Sequence, residues 1–157
     1  MELNLSCRGQ TVASLARALS DADERTATLN VSSNALCDLP AQLTRLSSLT
    51  ALCASFNRLD ALPDELSLLT RLSRLLVSSN ALKTLNPKIS ALSQLAHLDV
   101  SGNQLTELPD LSCLKNLVVL DFSKNKIKKI PASCFELQSL EKFCAEKNEI
   151  RGVPYEL

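Results

Sequence analysis

The stretch Leu98-Asp99-Val100-Ser101-Gly102-Asn103-Gln104-Leu105-Thr106-Glu107-Leu108-Pro109 decides the fold of this chain. It reads L-x-V-x-x-N-x-L-x-x-L-P, and variants of it recur along the sequence. The asparagine recurs every 22 or 23 residues, and the six prolines keep nearly the same period. Two residue types that share one period indicate stacked structural repeats, which form a solenoid. The repeated asparagines are Asn34, Asn57, Asn80, Asn103, Asn125 and Asn148, and the prolines are Pro40, Pro63, Pro87, Pro109, Pro131 and Pro154.

Each repeat opens with three residues that are typical of a short strand. The first and third are apolar and point to the core, whereas the second points outward, because side chains alternate along a strand. Equivalent strands in stacked repeats form a parallel sheet. Proline at the start of each return path denies it a regular helix, so 3₁₀ turns or irregular segments are expected there. The predicted strands centre on Leu29-Asn30-Val31, Leu52-Cys53-Ala54, Leu75-Leu76-Val77, Leu98-Asp99-Val100, Leu120-Asp121-Phe122 and Phe143-Cys144-Ala145.

The first unit, residues 1–28, departs from this pattern. Leu3-Asn4-Leu5 predicts a strand, and Val12, Leu15, Ala16 and Leu19 fall on one face of a helix for which Thr11 is a suitable N-cap. Arg8 or a neighbour stands where the asparagine belongs. Terminal repeats differ because they cover an exposed core, so we interpret residues 1–28 as an N-terminal capping repeat. Residues 29–157 then form six repeats, the last incomplete, within one domain.

The motif L-P-x-x-L-x-x-L in units of this length resembles the leucine-rich repeat family, and more narrowly its intracellular Ras-suppressor-like class, over roughly residues 26 to 157. The resemblance implies an α/β solenoid shaped as a horseshoe. Its concave face would be a parallel sheet of about seven short strands, with one N-terminal helix and short convex segments. It also implies binding of a protein partner in signalling or cytoskeletal scaffolding. Small GTPases, phosphatase subunits and cytoskeletal proteins are the partner classes that the family suggests.

The repeated asparagines have a local structural role. After each strand the chain turns, and its backbone amides and carbonyls become buried between repeats. An amide side chain can both donate to and accept from such groups. We therefore expect a ladder of asparagines that stabilises the fold.

Two irregularities and the end of the chain interrupt the repeat. In Leu85-Asn86-Pro87 the proline is displaced by one place, and one residue is missing between Pro109 and Leu117. The last repeat stops part-way, at Leu157. We expect that the natural chain continues, or that a partner or a second copy covers that end.

Composition and charge narrow the function. The chain has 17 basic and 17 acidic residues, so no global field favours nucleic acid. No segment is long and apolar enough to insert into a membrane, and the start of the chain does not resemble a secretion signal. We therefore predict a cytoplasmic protein whose six cysteines are free thiols. The cysteine spacing and the single histidine disfavour a metal site, and neither a catalytic signature nor a phosphate-binding loop is present, so we predict no cofactor and no enzyme activity.

Candidate recognition residues lie on the outward face of the strands, where residues differ between repeats. Leu76 and Phe56 are apolar where solvent is expected, and charged residues surround them, which is typical of an interface centre. Scattered surface hydrophobic residues are the alternative, since single exposed ones are ordinary. The candidate protein-binding residues are Phe56, Arg74, Leu76, His97, Asp99, Val119, Asp121, Lys124 and Lys142.

Two further groups of side chains have open interpretations. Lys124, Lys126, Lys128 and Lys129 form a basic run that a solvated edge, an acidic partner or nucleic acid would each explain. Cys134 takes a framework position and should be buried, whereas Cys53 and Cys144 face outward, where they serve as surface packing or as oxidisable thiols.

The predicted function is therefore a non-catalytic protein–protein interaction module that binds its partner in the concave face. Two alternatives remain. The chain could be the repeat arm of a larger enzyme or receptor that is cut at Leu157, or it could be a self-associating structural unit.

Overall fold

Seven short strands form a single parallel sheet in chain order. The structure is a computed structural model that describes residues 1–152, so Pro154 and the predicted part-way end of the last repeat lie outside the described residues. Each strand pairs in parallel with the next one along the chain. The strands are β1 (Glu2–Asn4), β2 (Thr28–Asn30), β3 (Ala51–Cys53), β4 (Arg74–Leu76), β5 (His97–Asp99), β6 (Val119–Asp121) and β7 (Lys142–Cys144). The predicted α/β solenoid with about seven parallel strands is confirmed.

The strands begin one residue earlier than the motif suggested. β5 starts at His97, although the predicted triplet starts at Leu98. The apolar third residue of the triplets in β2 to β6 still bonds to the neighbouring strand: the Val100 N–H donates to the Asp121 carbonyl over 2.8 Å. Leu98 and Val100 are both fully buried. The inward residues of β2 to β6 are therefore buried as predicted, whereas the inward Phe143 of β7 is 38% exposed and packs edge-on against Phe122.

Four of the return segments within residues 1–152 are short 3₁₀ helices, as expected. They are Ala41–Arg45, Asp64–Leu68, Pro87–Ala91 and Ala132–Glu136. In three of them a proline, Pro40, Pro63 or Pro131, is the extended residue before the helix. In the third of the four, the displaced Pro87 becomes the first helical residue, and the Asn86 side chain accepts from the Lys88 N–H at 2.9 Å. The one-residue shift thus exchanges a proline cap for an asparagine cap.

No 3₁₀ helix forms in the return segment between Pro109 and Leu117, the one that is a residue shorter. Asp110 Oδ1 accepts from the Ser112 N–H at 2.8 Å, and two successive turns then lead to the next strand. The irregularities that the sequence shows are therefore absorbed on the return side, and the register of the sheet is unbroken.

The first unit contains one strand and the only α-helix within residues 1–152, α1 (Val12–Ser20). Thr11 is its N-cap: Thr11 Oγ1 accepts from the Ser14 N–H, and Ser14 Oγ accepts from the Thr11 N–H. Leu15 and Leu19 are fully buried beneath the helix. The predicted helix, its cap and its buried face are confirmed, while the division into a capping repeat at 1–28 and six repeats at 29–157 stays a prediction.

At one buried position a threonine replaces the leucine that the other repeats carry. Leu49, Leu72, Leu95 and Leu117 precede the central strand leucines of four repeats by three residues, and all are fully buried. Thr26 takes this position in the capping repeat and is also fully buried. Its hydroxyl oxygen has no hydrogen-bond partner among the residues that the structure describes.

The asparagine ladder joins consecutive repeats. Asn103 Nδ2 donates to the carbonyls of Val100 at 2.9 Å in its own repeat and of Val77 at 3.1 Å in the preceding one. Asn103 Oδ1 accepts from the Leu82 N–H at 3.0 Å. The same pattern links the other repeats through Asn34, Asn57, Asn80, Asn125 and Asn148.

The residue before each ladder asparagine adopts the left-handed conformation. Only Gly102, with a φ of +62°, is a glycine; Phe56 and Lys124 have φ values of 56° and 54°. The equivalent Ser33, Ser79 and Lys147 behave alike. This sharp turn aims the side chains of Phe56 and Lys124 away from the core, at the end of the strands.

Candidate protein-binding surface on the strands

Seven of the nine candidate residues form one patch on the outward side of β4 to β7. The register places Arg74 opposite His97, His97 opposite Val119, and Val119 opposite Lys142. A second row runs parallel to the first and contains Leu76, Asp99, Asp121 and Cys144. Neighbouring strands lie about 4.8 Å apart, so each row is continuous. We call these two rows the strand patch.

The strand patch contains both charge signs, and each row carries one sign. The first row carries the cations Arg74 and Lys142, both exposed, while the second row carries the carboxylates of Asp99 and Asp121, both half-buried. Leu76 is half-buried beside Asp99. An extended segment that crosses the strands would thus meet a cationic row and an anionic row on either side of its axis.

His97 lies at the centre of the charged groups. Partial burial lowers the pKa of His97 below its usual value of 6.5, and the positive charges of Arg74 and Lys142 lower it further. The Asp99 carboxylate acts in the opposite direction. The lowered pKa of His97 favours the neutral imidazole at pH 7, a form that can both donate and accept a hydrogen bond.

The two aspartates also shape the turns that follow their strands. Asp99 Oδ1 accepts from the Ser101 N–H at 2.9 Å, and Asp121 Oδ1 accepts from the Ser123 N–H at 3.0 Å. Asn30 makes the same bond to the Ser32 N–H. Asparagine and aspartate are favoured in such turns because their side chains mimic a backbone carbonyl. This turn role is an addition to the recognition role predicted for the two aspartates, and the equivalent Asn30 is the one signal for it in the sequence.

The serines that follow the second row by two positions, among them Ser55, Ser78 and Ser123, are part of the scaffold. Ser55 and Ser123 are buried, and Ser78 Oγ donates to Ser55 Oγ at 3.0 Å. Ser123 Oγ donates to Asp121 Oδ1 at 2.7 Å. These hydroxyls bond within the protein, so the candidate recognition surface is formed by the other outward residues of the strands.

The remaining two candidates, Phe56 and Lys124, lie apart from the strand patch. Both occupy the left-handed turn position, Phe56 after β3 and Lys124 after β6. Ser79 and Gly102 occupy the same position in the two repeats between them. Phe56 is 62% exposed, so it is an isolated apolar side chain at the edge of the sheet. The structure does not bring Phe56 and Lys124 together.

Neither a metal site nor a reactive thiolate is favoured within residues 1–152. No group of three His, Cys, Asp or Glu side chains could hold a metal ion there. Cys134 is only 3% exposed, and burial raises its pKa to about 12, so it behaves as a small apolar residue. Cys144 is half-buried in the strand patch, and partial burial raises its thiol pKa too, which disfavours the reactive thiolate. Cys53 is likewise half-buried on the outward face.

The part of the chain that the structure describes contains no helix able to cross a membrane. All six cysteines are unpaired.

Comparisons with known proteins agree with this architecture. A profile of the leucine rich repeat family matches residues 93–150. The chain is similar to a leucine-rich repeat protein of Leptospira interrogans, with 30% sequence identity and a TM-score of 0.87 over 97% of this chain and 38% of that one. No curated protein sequence matches the chain significantly.

Two further structures show the same likeness. The functional domain of InlJ from Listeria monocytogenes has 28% identity and a TM-score of 0.73, over 83% of this chain and 27% of that one. A plant peptide hormone receptor, RGFR1 in complex with RGF2, has 28% identity and a TM-score of 0.72, over 78% of this chain and 21% of that one. This chain thus spans well under half the length of the three structures that it resembles. Its fold is that of a leucine-rich repeat protein, a fold that is commonly a non-enzymatic protein–protein interaction module.

Proposed function

Given the leucine-rich repeat fold of this chain, we propose that it is a non-catalytic module that binds a protein partner through the strand patch. The observation that carries the proposal is the four-strand patch itself, in which a row with Arg74, half-buried His97 and Lys142 runs beside a row with half-buried Leu76, Asp99 and Asp121. These side chains differ between repeats, whereas the leucines and asparagines beneath them do not.

The mechanism is rigid display. The patch residues stand on strands that are paired on both sides, or in β7 on one side, and the asparagine ladder fixes the turns that follow. A surface that is ordered before binding loses little conformational entropy when the partner docks. The opposed charge rows fix the partner's orientation, and Leu76 supplies an apolar anchor.

We further propose that the protein belongs to the intracellular Ras-suppressor-like class of leucine-rich repeat proteins and has a cytoplasmic role in signalling or cytoskeletal scaffolding. Six free cysteines favour a reducing compartment. The family resemblance suggests a small GTPase, a phosphatase subunit or a cytoskeletal protein as partner, and the plant receptor in complex with RGF2 supports ligand binding by a similar solenoid.

Site-specific crosslinking tests the surface directly. A photo-reactive amino acid replaces Leu76 in one variant and Leu68 in a matched control, because Leu68 is 67% exposed on the return side. We expect one specific adduct, identified by mass spectrometry, from position 76 and none from position 68. The same adduct from both positions, or from position 68 alone, would refute binding through the strand patch.

Charge variants test the same surface independently. The double variant Arg74→Glu, Asp99→Asn alters the strand patch but keeps the turn acceptor at residue 99. The double variant Arg71→Glu, Glu65→Gln makes the same charge change on exposed return-side residues. We expect the first variant to lose the crosslinked partner and the second to keep it, with equal circular dichroism spectra. Retention by both variants would move the binding site off the strand patch.

A further inference from the structure

A cluster of cations at one edge of the sheet is larger than the sequence run suggests. Lys124, Lys126, Lys128 and Lys129 are close in sequence, and the next repeat stacks on them. The Lys124 N–H donates to the Glu146 carbonyl at 2.8 Å, and the Arg151 N–H donates to the Lys128 carbonyl at 3.2 Å. Stacking therefore places Lys147 beside Lys124, in the same left-handed turn position, and Arg151 beside Lys128. We call these six residues the basic edge.

The cations of the basic edge have no ion-pair partner among residues 1–152. All six side chains are exposed, and the only ion pair within residues 1–152 joins Lys88 to Asp64 elsewhere in the solenoid. Two carboxylates, Glu146 and Glu149, lie among the six cations. The edge thus carries a local excess of positive charge on a chain whose formal net charge is zero.

We propose that the basic edge docks an acidic polypeptide segment. Exposed cations held in adjacent turns on long side chains attract carboxylates and fix where they bind. The interspersed Glu146 and Glu149 favour a ligand whose negative charges are separated by neutral residues, because a continuous row of phosphates would meet these two carboxylates.

Nucleic acid and an anionic membrane fit less well. Single-stranded nucleic acid is bound by grooves that combine cations with stacking aromatic rings, and the basic edge contains no aromatic residue. Of the exposed aromatic rings within residues 1–152, Phe56 lies three repeats away, Phe135 lies on a return-side 3₁₀ helix, and Phe143 packs edge-on against Phe122. The zero net charge provides no long-range attraction to a polyanion or to an anionic membrane. Nucleic acid and an anionic membrane are therefore the competing ligands that the binding experiment compares with the acidic peptide.

Fluorescence anisotropy with a fluorescein-labelled peptide of alternating glutamate and serine tests the proposal. We expect the parent protein to bind the peptide and to lose affinity as salt is added, since exposed charges are screened. The variant Lys124→Glu, Lys147→Glu should bind about tenfold or more weakly, because attraction becomes repulsion. The matched variant Arg45→Glu, Arg71→Glu changes the net charge equally on exposed return-side residues and should bind as the parent does.

Three results would overturn the proposal. They are the absence of peptide binding by the parent, an equal loss in the Arg45 and Arg71 variant, and tighter binding of oligothymidylate or of phosphatidylserine vesicles than of the peptide. The basic edge and the strand patch share no residue, so the variant Arg74→Glu, Asp99→Asn should still bind the peptide.

Discussion

The carboxylate of Asp99 accepts a 2.9 Å hydrogen bond from the backbone N–H of Ser101, two residues further along the chain. The same side chain lies in the strand patch and raises the pKa of His97. One residue thus shapes a turn and supplies charge to the candidate binding surface, and its two roles can be separated by substitution.

Asp99→Asn keeps a side-chain oxygen for the turn and removes the charge, whereas Asp99→Ala removes both. We expect Asp99→Asn to leave the free energy of unfolding nearly unchanged and Asp99→Ala to lower it by about 1 kcal/mol, the usual net contribution of a hydrogen bond. Urea denaturation measures both. Partner crosslinking through position 76 should weaken in both variants, and an equal loss of stability in the two would show that the turn bond needs the charge.

The ladder asparagines should differ in their contribution to stability according to their burial. Asn103 is 7% exposed and bonds to groups in two repeats, while Asn148 is half-buried in the last described repeat. Asn103→Ala leaves buried backbone groups without hydrogen-bond partners, so it should lower the free energy of unfolding by about 2–3 kcal/mol. Asn148→Ala should cost less, because water reaches the freed groups. Equal losses in urea denaturation would contradict this account.

Thr26→Val should stabilise the protein. The Thr26 hydroxyl is fully buried without a partner among the described residues, and valine has the same shape without the polar atom. Removing an unsatisfied buried hydroxyl should raise the free energy of unfolding by about 1 kcal/mol. Thr28→Val, at a half-buried position on the strand face, is the control and should change little. A destabilised Thr26→Val protein in the same urea experiment would mean that the hydroxyl has a partner in solution.

His97 is the only histidine, so its proton NMR signal needs no assignment to be followed with pH. We expect a pKa below 6.5, raised by Arg74→Gln, which removes a repelling cation, and lowered by Asp99→Asn, which removes an attracting carboxylate. Because the folded pKa lies below the unfolded value, the folded protein binds fewer protons in this window. The contribution of His97 to stability therefore falls as the pH drops through 6.5 and levels off below the folded pKa.

His97→Gln is the matching stability experiment. It should flatten the dependence of the free energy of unfolding on pH just below 6.5 and leave the values at higher pH nearly unchanged. An unaltered pH dependence, or an NMR pKa above 6.5, would contradict the burial and repulsion found around this side chain.

The scaffold could be predicted from sequence because it repeats. The period located the strands, the inward leucines, the ladder asparagines and the 3₁₀ return segments, and the apolar spacing from Val12 to Leu19 located the helix. The turn role of Asp99 was missed because Cys53 and Leu76 fill the same column and cannot accept a backbone N–H. The unpartnered hydroxyl of Thr26 was missed because the divergent first repeat obscures the alignment with Leu49. Phe56 was predicted to lie with the strand-patch residues because the sequence alone does not assign the left-handed turn conformation to this position.

The asparagine ladder also determines how the solenoid opens. The Oδ1 atom of a ladder asparagine accepts from a backbone N–H of the preceding repeat, as at Leu36, Leu59, Leu82, Leu105 and Ile127. Each of these amide protons is released to deuterium only when two neighbouring repeats separate. Stability in a solenoid is roughly a sum of repeat and interface terms, so opening can begin at either end. Exchange should therefore be slowest at Leu82, the central one of the five, and faster toward Leu36 and Ile127, and these five amides record the order in which the repeats come apart.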